Sequence, residues 1–347
     1  MSQQVSIVIP CLNEAATIGY LLEALQDQGW PIAHSEVIIV DGQSEDGTRE
    51  LVTDFASRHN EMTVRIVDNP ARSIPRALNL GISAATGRFI IRLDAHSVPA
   101  SDYVERCVAT LERTAAANVG GVWDIQPSAD TWTARAIAAA AAHPLGAGDA
   151  RYRTGGPEGE ADTVPFGAFD REWLERIGPF NENLLTNEDY EYNLRLRQAG
   201  GVIWFDPSIR STYFARGTLR ELASQYLRYG YWKGQMLKRY PTSLLWRQAL
   251  PPLFVLGIAL LGVLAPFAGW ARILLLLQLG LYIATTAGAG LIKAVRSGDL
   301  SLALGMPLAL STMHLSWGAA FWVGLGAGLL RIRVENPEPE ASRSGDA

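Results

Sequence analysis

Carboxylates stand at three places where an apolar run gives way to polar residues. Asp41 and Asp94 each follow such a run, His96 comes two residues after Asp94, and Glu188 and Asp189 open a segment of helical spacing. A carboxylate at the end of a strand can accept hydrogen bonds from a ribose or a base N–H. Residues i and i+2 on an extended segment point the same way, so Asp94 and His96 can share a divalent ion, and the imidazole favours Mn over Mg. This pattern indicates chemistry on a nucleotide diphosphate, whose leaving group such an ion would neutralise.

Each of these residues also has a purely structural interpretation. Asp41 suits a tight turn, Asp94 and His96 suit a polar loop cap, and Glu188 and Asp189 suit the N-terminal dipole of a helix. Their placement favours the functional alternative, because the acidic pair adds a third carboxylate site to a crevice that already has nucleotide and metal candidates. Direct displacement by an acceptor hydroxyl needs one base. We assign that role to Asp189, with Glu188 as its orienting neighbour.

Basic and amide side chains are candidates for binding the acceptor and the phosphates. Arg72 and Arg76 follow a predicted strand, whereas Gln225 and Arg228 lie in a basic, aromatic segment that precedes the apolar C-terminal third. Each arginine can equally be a solvated surface charge. Residues 216–248 as a whole fit an interfacial amphipathic collar with aromatic anchors. Within this collar, Gln225 and Arg228 can close over the acceptor and its diphosphate.

Short apolar runs that alternate with helical spacing must position these side chains. Strands are predicted at 5–10, 37–40, 64–67 and 89–93, and helices at 14–28, 48–58, 74–85, 101–115 and 188–199. Asn13 is the predicted cap of the first helix, and the Gly-rich, charged stretch 145–162 is a predicted mobile loop. The alternation predicts an α/β doubly wound sheet, in which ligands bind at the carboxyl ends of the strands.

The C-terminal third contains three apolar stretches, at 249–270, 273–292 and 300–330. Each reaches the roughly 20 residues that cross a hydrocarbon core. A buried helix of a soluble protein is the alternative for each, but three in series predict a transmembrane anchor over 249–333. The third is too long for one straight span, so a bent or re-entrant segment, or an interfacial helix before a span, is expected. The polar residues 334–347 are expected to be disordered.

Charge sets the expected orientation and partners. Lys233, Lys238, Arg239 and Arg247 precede the first apolar stretch, which by the positive-inside tendency keeps residues 1–248 in the cytoplasm. The N-terminus has no signal-peptide pattern. The net charge of −5 gives no reason to expect nucleic acid as a partner, and the two cysteines imply no disulfide framework. We therefore expect a multi-pass protein of the cytoplasmic membrane with a cytoplasmic catalytic part.

Several motifs resemble those of the family 2 glycosyltransferases, which have a GT-A fold. In chain order they are IPCLNE (9–14), VDGQSEDGT (40–48), ALNLGI (77–82), RLDAH (92–96), VPFGAF (164–169), IGPFNE (177–182) and NEDYEYNLRLRQAG (187–200). The resemblance implies that Asp41 binds the nucleoside, that Asp94 is the first aspartate of the metal-binding DxD motif, and that Asp189 is the base of the ED motif. Pro10 and Glu14 fall within the first motif and are further donor-binding candidates.

The remaining site residues are assigned from their chemistry together with this resemblance. Arg72 is assigned to the donor phosphates, and Phe166 and Gly167 of VPFGAF are assigned to the acceptor cleft. His96 replaces the second DxD aspartate, and the QxxRW motif of processive synthases survives only as Gln225 and Arg228 with their neighbours. This argues against a processive synthase. The DAH variant and the apolar tail are similar to the succinoglycan exopolysaccharide glucosyltransferases, which implies UDP-glucose as donor and a polyprenyl-diphosphate-linked sugar as acceptor.

These observations combine into one interpretation. Residues 1–215 form a GT-A catalytic domain that, with Mn or Mg, transfers a sugar with inversion to a lipid-linked acceptor in exopolysaccharide or cell-envelope glycan synthesis. One alternative is a polyprenyl-phosphate sugar transferase, which makes a phosphodiester-linked sugar. An alternative of another class is a non-catalytic membrane protein that binds nucleotide sugars. The presence of both Asp94 and Asp189 argues against the latter.

Overall fold

The computed structural model describes residues 4–28 and 34–327. In this part of the chain, one sheet contains all the strands: β1 (Val5–Cys11), β2 (Ser35–Asp41), β3 (Thr63–Asp68), β4 (Phe89–Arg92), β5 (Ser97–Pro99), β6 (Asn118–Pro127), β7 (Gly159–Glu160), β8 (Ala168–Asp170) and β9 (Ile203–Ala215). The helices that pack around it are α1 (Ile18–Gln26), α2 (Thr48–Arg58), α3 (Ile74–Ala84), α4 (Tyr103–Thr114), α5 (Trp132–Ala141), α6 (Pro144–Ala147), α7 (Arg151–Thr154), α8 (Arg171–Ile177) and α9 (Glu188–Gln198). Four longer helices follow: α10 (Leu219–Arg239), α11 (Trp246–Leu264), α12 (Gly269–Ser297) and α13 (Leu302–Gly326).

The strand order β3-β2-β1-β4-β8-β6-β9-β5 is that of a mixed sheet, with β7 paired to β9. Strands β1 to β4 are mutually parallel, and β8 joins them antiparallel to β4. Helices α1, α2 and α4 cover one face, and α3, α8 and α9 cover the other. Burial on both faces explains why these strands read as continuous apolar runs. The predicted α/β sheet is confirmed, and Cys11 pairs with Asp41 at the carboxyl edge.

Two local predictions are wrong. The first helix begins at Ile18 rather than at residue 14, and Asn13 does not cap it. Asn13 has a left-handed backbone with φ 54°, and its side-chain oxygen accepts from the backbone N–H of Glu45 at 2.9 Å. The predicted loop at 145–162 contains α6, α7 and β7. This segment is ordered by tertiary contacts, because Arg247 binds both Asp149 and Asp162.

Helix α13 packs directly on α5 and α10. Ile137 of α5, Leu222 of α10 and Met306, Leu310 and Met313 of α13 share one buried apolar cluster. Within the third apolar stretch the helix runs over Leu302–Gly326, and ten of its residues are buried by other parts of the protein. The last three residues of this stretch, 328–330, and the predicted tail at 334–347 lie outside the described residues.

Small residues allow the close approach of α10 and α13. A Cβ on Gly230 would lie 2.3 Å from the carbonyl oxygen of Trp317, and one on Gly234 would lie 2.4 Å from that of Phe321. The same closeness holds from the other side, where a Cβ on Gly324 would lie 2.1 Å from a carbonyl oxygen of α10. Spacing of the α10 glycines by four residues places both on one face of the helix. The two backbones are thus nearly in contact.

Within the described ranges, two helices are long and apolar enough to cross a membrane, namely α11 and α12. Their outward faces are exposed and apolar, as shown by Leu253 at 59%, Leu276 at 69% and Leu281 at 72% exposure. The third predicted stretch, now α13, is not among these candidates. Of the basic residues before α11, Lys238 and Arg239 are exposed and Lys233 is not. Lys233 is buried and donates to the Ser243 carbonyl at 2.7 Å.

Candidate active site

A cavity of about 1100 Å³ opens at the carboxyl edge of the parallel strands and continues to the apolar C-terminal helices. The predicted site residues that line it are Pro10, Glu14, Arg72, Asp94, His96, Phe166, Glu188, Asp189, Gln225 and Arg228. They come from segments that are far apart in sequence, and the sheet edge brings them together. Asp41 and Gly167 are not among the lining residues.

The carboxylate of Asp41 is hydrogen-bonded to other residues of the protein. Its carboxylate accepts from the Ser44 hydroxyl at 2.6 Å, from the Ser44 backbone N–H at 3.1 Å and from Arg49 Nη1 at 2.9 Å. Its exposure is 1%. The side chain therefore stabilises the β2–α2 turn beside the cavity, where Gly42 is a lining residue. Its contact with a nucleoside remains a prediction.

Arg92, which sequence reasoning missed, stands among the site carboxylates. Its Nη2 lies 3.2 Å from Asp94 Oδ1 and 3.4 Å from Glu188 Oε1, and its charge also acts on Asp189. The arginine ends strand β4 and is buried. The signal in the sequence is a cation that interrupts an apolar strand run, because a buried arginine needs charged or polar partners.

Burial and neighbouring charges perturb the two carboxylates that open α9. Burial raises the pKa of Glu188 to about 7, against the lowering effect of Arg92, and the negative charge of Asp189 adds to the rise. Burial likewise raises the pKa of Asp189, again opposed by Arg92. Asp189 Oδ1 accepts from the backbone N–H of Tyr190 at 2.8 Å. A carboxylate with a raised pKa that lines a cavity has the character of a general base.

His96 is held by Glu14, which joins two of the predicted donor-side residues. Nδ1 of His96 lies 3.1 Å from Glu14 Oε1. Burial lowers the pKa of His96, but the hydrogen bond to Glu14 and the charges of Asp94 and Glu14 outweigh it, so the net shift is upward. Because Glu14 binds Nδ1, the other ring nitrogen is the one available to a ligand.

Asp94 and His96 together can supply part of a cation site. Within residues 4–28 and 34–327, no group of three or more His, Cys, Asp or Glu could hold a metal ion. Side-chain exposures of 29% for Asp94 and 39% for His96 leave both accessible from the cavity. A carboxylate and an imidazole fit a divalent ion whose remaining ligands come from substrate phosphates and water.

The VPFGAF segment approaches the site with an unusual backbone. Phe166 has φ 58° and Gly167 has φ 103°, so two consecutive residues are left-handed. Gly167 accepts from the backbone N–H of Arg92 at 2.9 Å, and a Cβ added to it would lie 2.7 Å from Asn118 Oδ1. Gly167 thus supports strand β4 from behind, while Phe166 lines the cavity. A left-handed phenylalanine at such a place is typical of a functional site.

The far end of the cavity lies among the C-terminal helices. Its walls there include Leu250, Pro251 and Phe254 of α11, Tyr282, Thr285 and Thr286 of α12, and Met313, His314 and Trp317 of α13. His314 bridges Tyr282, whose hydroxyl lies 3.0 Å from Nδ1, and the carbonyl of Leu145, which lies 2.8 Å from Nε2. The carboxylates of the site and the two candidate membrane helices therefore share one continuous space.

Comparison with known proteins identifies relatives of this chain. Residues 6–178 match the family model described as glycosyl transferase family 2. The chain is 33% identical over 322 residues to the succinoglycan biosynthesis protein ExoA of Rhizobium meliloti (strain 1021), covering 91% of this chain and 93% of that protein. It is 30% identical over 268 residues to the dolichyl N-acetyl-alpha-D-glucosaminyl phosphate 3-beta-D-2,3-diacetamido-2,3-dideoxy-beta-D-glucuronosyltransferase of Methanococcus voltae, covering 75% of this chain and 82% of that protein.

A solved structure shares the architecture. The mannosyltransferase PcManGT from Pyrobaculum calidifontis, in complex with GDP-Man and Mn2+, superposes with a TM-score of 0.61 over 90% of this chain and 88% of that chain. Sequence identity between the two is 22%. The likeness establishes that the sheet and its helices have a GT-A fold, as predicted.

Proposed function

Because the chain belongs to glycosyl transferase family 2 and is therefore a glycosyltransferase, we propose that it transfers a hexose from a UDP-sugar to a lipid-linked sugar in a membrane. UDP-glucose is the expected donor, and a polyprenyl-diphosphate sugar is the expected acceptor. The observation that carries this proposal is the single cavity that joins Asp94 and Asp189 to α11, α12 and α13. An acceptor on a lipid anchor can reach the carboxylates from that side without leaving its apolar surroundings.

The donor would occupy the sheet edge, with Pro10, Glu14 and Arg72 around the nucleotide and its phosphates. Asp94 and His96 would hold a divalent cation, which supplies charge neutralisation for the diphosphate leaving group. PcManGT, which shares the fold, carries Mn2+ in its solved complex, and the Asp–His pair suits Mn.

Asp189 would accept the proton of the acceptor hydroxyl. The hydroxyl oxygen then forms its bond to the anomeric carbon while the bond from that carbon to the diphosphate breaks. A single displacement of this kind inverts the configuration of the sugar. Arg92 would offset part of the repulsion among the three nearby carboxylates, and Gln225, Arg228 and Phe166 border the space that the acceptor would fill.

Insertion of α11 and α12 into the cytoplasmic membrane would keep the cavity at its surface. The catalytic domain would then lie in the cytoplasm, where nucleotide sugars are made. The relative ExoA acts in succinoglycan biosynthesis by its name, which supports a role for this chain in exopolysaccharide or cell-envelope glycan synthesis.

The test is a donor panel on the full chain in detergent, with Mn and Mg compared. A new glycosidic, alkali-stable sugar on a polyprenyl-diphosphate acceptor supports the proposal. A phosphodiester-linked sugar instead identifies a polyprenyl-phosphate sugar transferase, and donor binding without turnover identifies a non-catalytic binding protein.

A variant pair examines the base. Asp189→Asn should abolish turnover while UDP binding and thermal stability persist. Glu175→Gln, which changes an exposed carboxylate of α8, is the control and should retain activity. Normal turnover in Asp189→Asn would refute the assignment.

A further inference from the structure

Arg153 is a cation in the cavity that has no anionic partner within the described residues. Its Nη1 donates to the hydroxyl of Tyr226 at 3.2 Å, and its guanidinium carbon lies 5.5 Å from the ring centroids of both Trp123 and Tyr152. Its Nε is buried and makes no hydrogen bond. In the part of the chain that the structure describes, the titratable groups that act most strongly on it are neutral tyrosine side chains rather than carboxylates.

A second buried donor lies beside it. Trp123 Nε1 is also without a hydrogen-bond partner among the described residues. The Trp123 ring stacks on Tyr213 at 4.4 Å and meets Tyr152 edge-on at 5.1 Å. We call Arg153, Trp123, Tyr152, Tyr213, Tyr226 and Tyr229 the Arg153 cluster, and all six line the cavity.

The chemistry of the Arg153 cluster selects an anion. It offers a positive charge and unpaired N–H donors, and its walls are neutral aromatic rings. A buried charge without a partner is unfavourable, and so is a buried donor without an acceptor. A guanidinium pairs well with phosphate oxygens because several N–H groups point in fixed directions. A phosphate or diphosphate ester would supply the negative charge and the acceptor oxygens that these surroundings lack.

The position of the cluster relates it to both the base and the C-terminal helices. The hydroxyl of Tyr152 lies 3.3 Å from that of Tyr190, the residue after Asp189. Tyr226 belongs to the apolar core that α10 shares with α5 and α13. The cluster therefore lies where a chain that enters from the C-terminal helices passes the base.

The donor diphosphate has other candidates at the sheet edge, namely Arg72 and the Asp94–His96 pair. This leaves the phosphate of an acceptor carrier as the anion for the cluster. We propose that the Arg153 cluster binds the phosphate or diphosphate of the lipid that carries the acceptor sugar to Asp189. This inference rests on the proposed function, because it assumes a lipid-linked acceptor.

Binding of small probes tests the cluster without requiring turnover. Calorimetry on the full chain in detergent would compare farnesyl diphosphate, farnesol and UDP with Mn. Wild type should bind farnesyl diphosphate more tightly than farnesol. Arg153→Met should weaken the binding of farnesyl diphosphate roughly 10- to 100-fold, which is the range for a lost hydrogen bond to a charged group. Farnesol and UDP should bind as before.

Two further variants keep the result interpretable. Trp123→Phe keeps an aromatic ring but removes the N–H donor. It should therefore also weaken the binding of farnesyl diphosphate, which tests the cluster even if Arg153→Met folds poorly. Arg151→Met is the matched control from the same helix, because Arg151 stacks on Phe205 and is not a cavity residue. It should bind farnesyl diphosphate like wild type, with folding checked by thermal unfolding.

The results separate this inference from the proposed function. Equal weakening of UDP and farnesyl diphosphate in Arg153→Met would assign the cluster to the donor and overturn the inference, as would unchanged binding of all three probes in both variants. Arg153-dependent binding of farnesyl diphosphate would support the inference even if no lipid-linked sugar were elongated. If the protein elongates the lipid-linked sugar but Arg153→Met binds farnesyl diphosphate like wild type, the inference is overturned and the proposed function stands.

Discussion

Replacing Arg92 by methionine is expected to move the acid limb of the pH–rate profile to higher pH. Arg92 Nη2 lies 3.2 Å from Asp94 Oδ1 and 3.4 Å from Glu188 Oε1. It is the charge that opposes the effect of burial on both Glu188 and Asp189. Methionine keeps a long side chain but removes the cation, so three carboxylates would then stand together without a neutralising charge.

The size of the shift follows from the distances. An opposite charge within about 4–6 Å lowers a carboxyl pKa by about 1–3 units. Removing Arg92 should therefore raise the pKa values of Glu188 and Asp189 by about the same 1–3 units. Because a general base acts only when deprotonated, kcat on the acid limb should fall by about 10- to 1000-fold. The loss should diminish as the pH rises above the new pKa.

The assay is kcat as a function of pH, from weakly acidic to alkaline buffers, at saturating donor and acceptor. Arg92→Lys, which keeps the charge, should move the limb less. Arg88→Met is the matched control, because Arg88 lies next to β4 but is 61% exposed and pairs with Asp170. If Arg92→Met lowers kcat by the same factor at every pH and the acid limb does not move, the electrostatic role is refuted and Arg92 has a structural role instead.

Three further predictions address other parts of the protein. The pKa of Glu188 is raised to about 7, so the folded protein holds this proton more tightly than the unfolded chain does, and the stability of wild type should fall as the pH rises from the ordinary carboxyl pKa to about 7. Glu188→Gln should abolish this fall. The melting temperature as a function of pH measures it, and an equal fall in both proteins would contradict the prediction. Gly230→Ala, whose Cβ would lie 2.3 Å from the Trp317 carbonyl oxygen, should lower the free energy of unfolding by about 1–3 kcal/mol, whereas Gly262→Ala has open space around it and should not. His96→Asp should raise the ratio of activity with Mg to activity with Mn, because carboxylates suit Mg better than imidazole does; an unchanged ratio would remove His96 from the cation site.

The strands and helices that carry the site residues could be predicted from local sequence patterns. Strand β2 and helix α2 have the predicted character because a buried parallel strand needs a continuous apolar run and a covering helix needs a helical apolar stripe. The carboxyl ends of parallel strands meet at one edge, so the strand pattern alone is enough to expect the residues that follow β1, β2 and β4 around one crevice. The predicted start of α1 was wrong because Asn13 satisfies a backbone group of the neighbouring loop instead.

The C-terminal region shows the limit of composition as evidence. The scarcity of charged residues placed α13 with α11 and α12 as a predicted span, but of these three helices only α11 and α12 are long and apolar enough to cross a membrane. The contacts that place α13 against α5 and α10 depend on small residues such as Gly230, whose meaning is visible only when the opposing backbone is known.

By itself, the sequence determined the GT-A sheet, the order of the motifs and ten of the residues that line the cavity, because strand and helix periodicity are local and a sheet edge collects strand ends. Only the tertiary structure decided that Arg92 stands among the carboxylates, that Asp41 is already occupied by Ser44 and Arg49, and that Arg153 has no anion of its own among the residues described. These three facts concern charges and the groups that fold against them, some near in sequence, as Ser44 and Arg49 are to Asp41, and some distant, as Glu188 is from Arg92. Whether an arginine or an aspartate is free to bind a ligand depends on what folds against it.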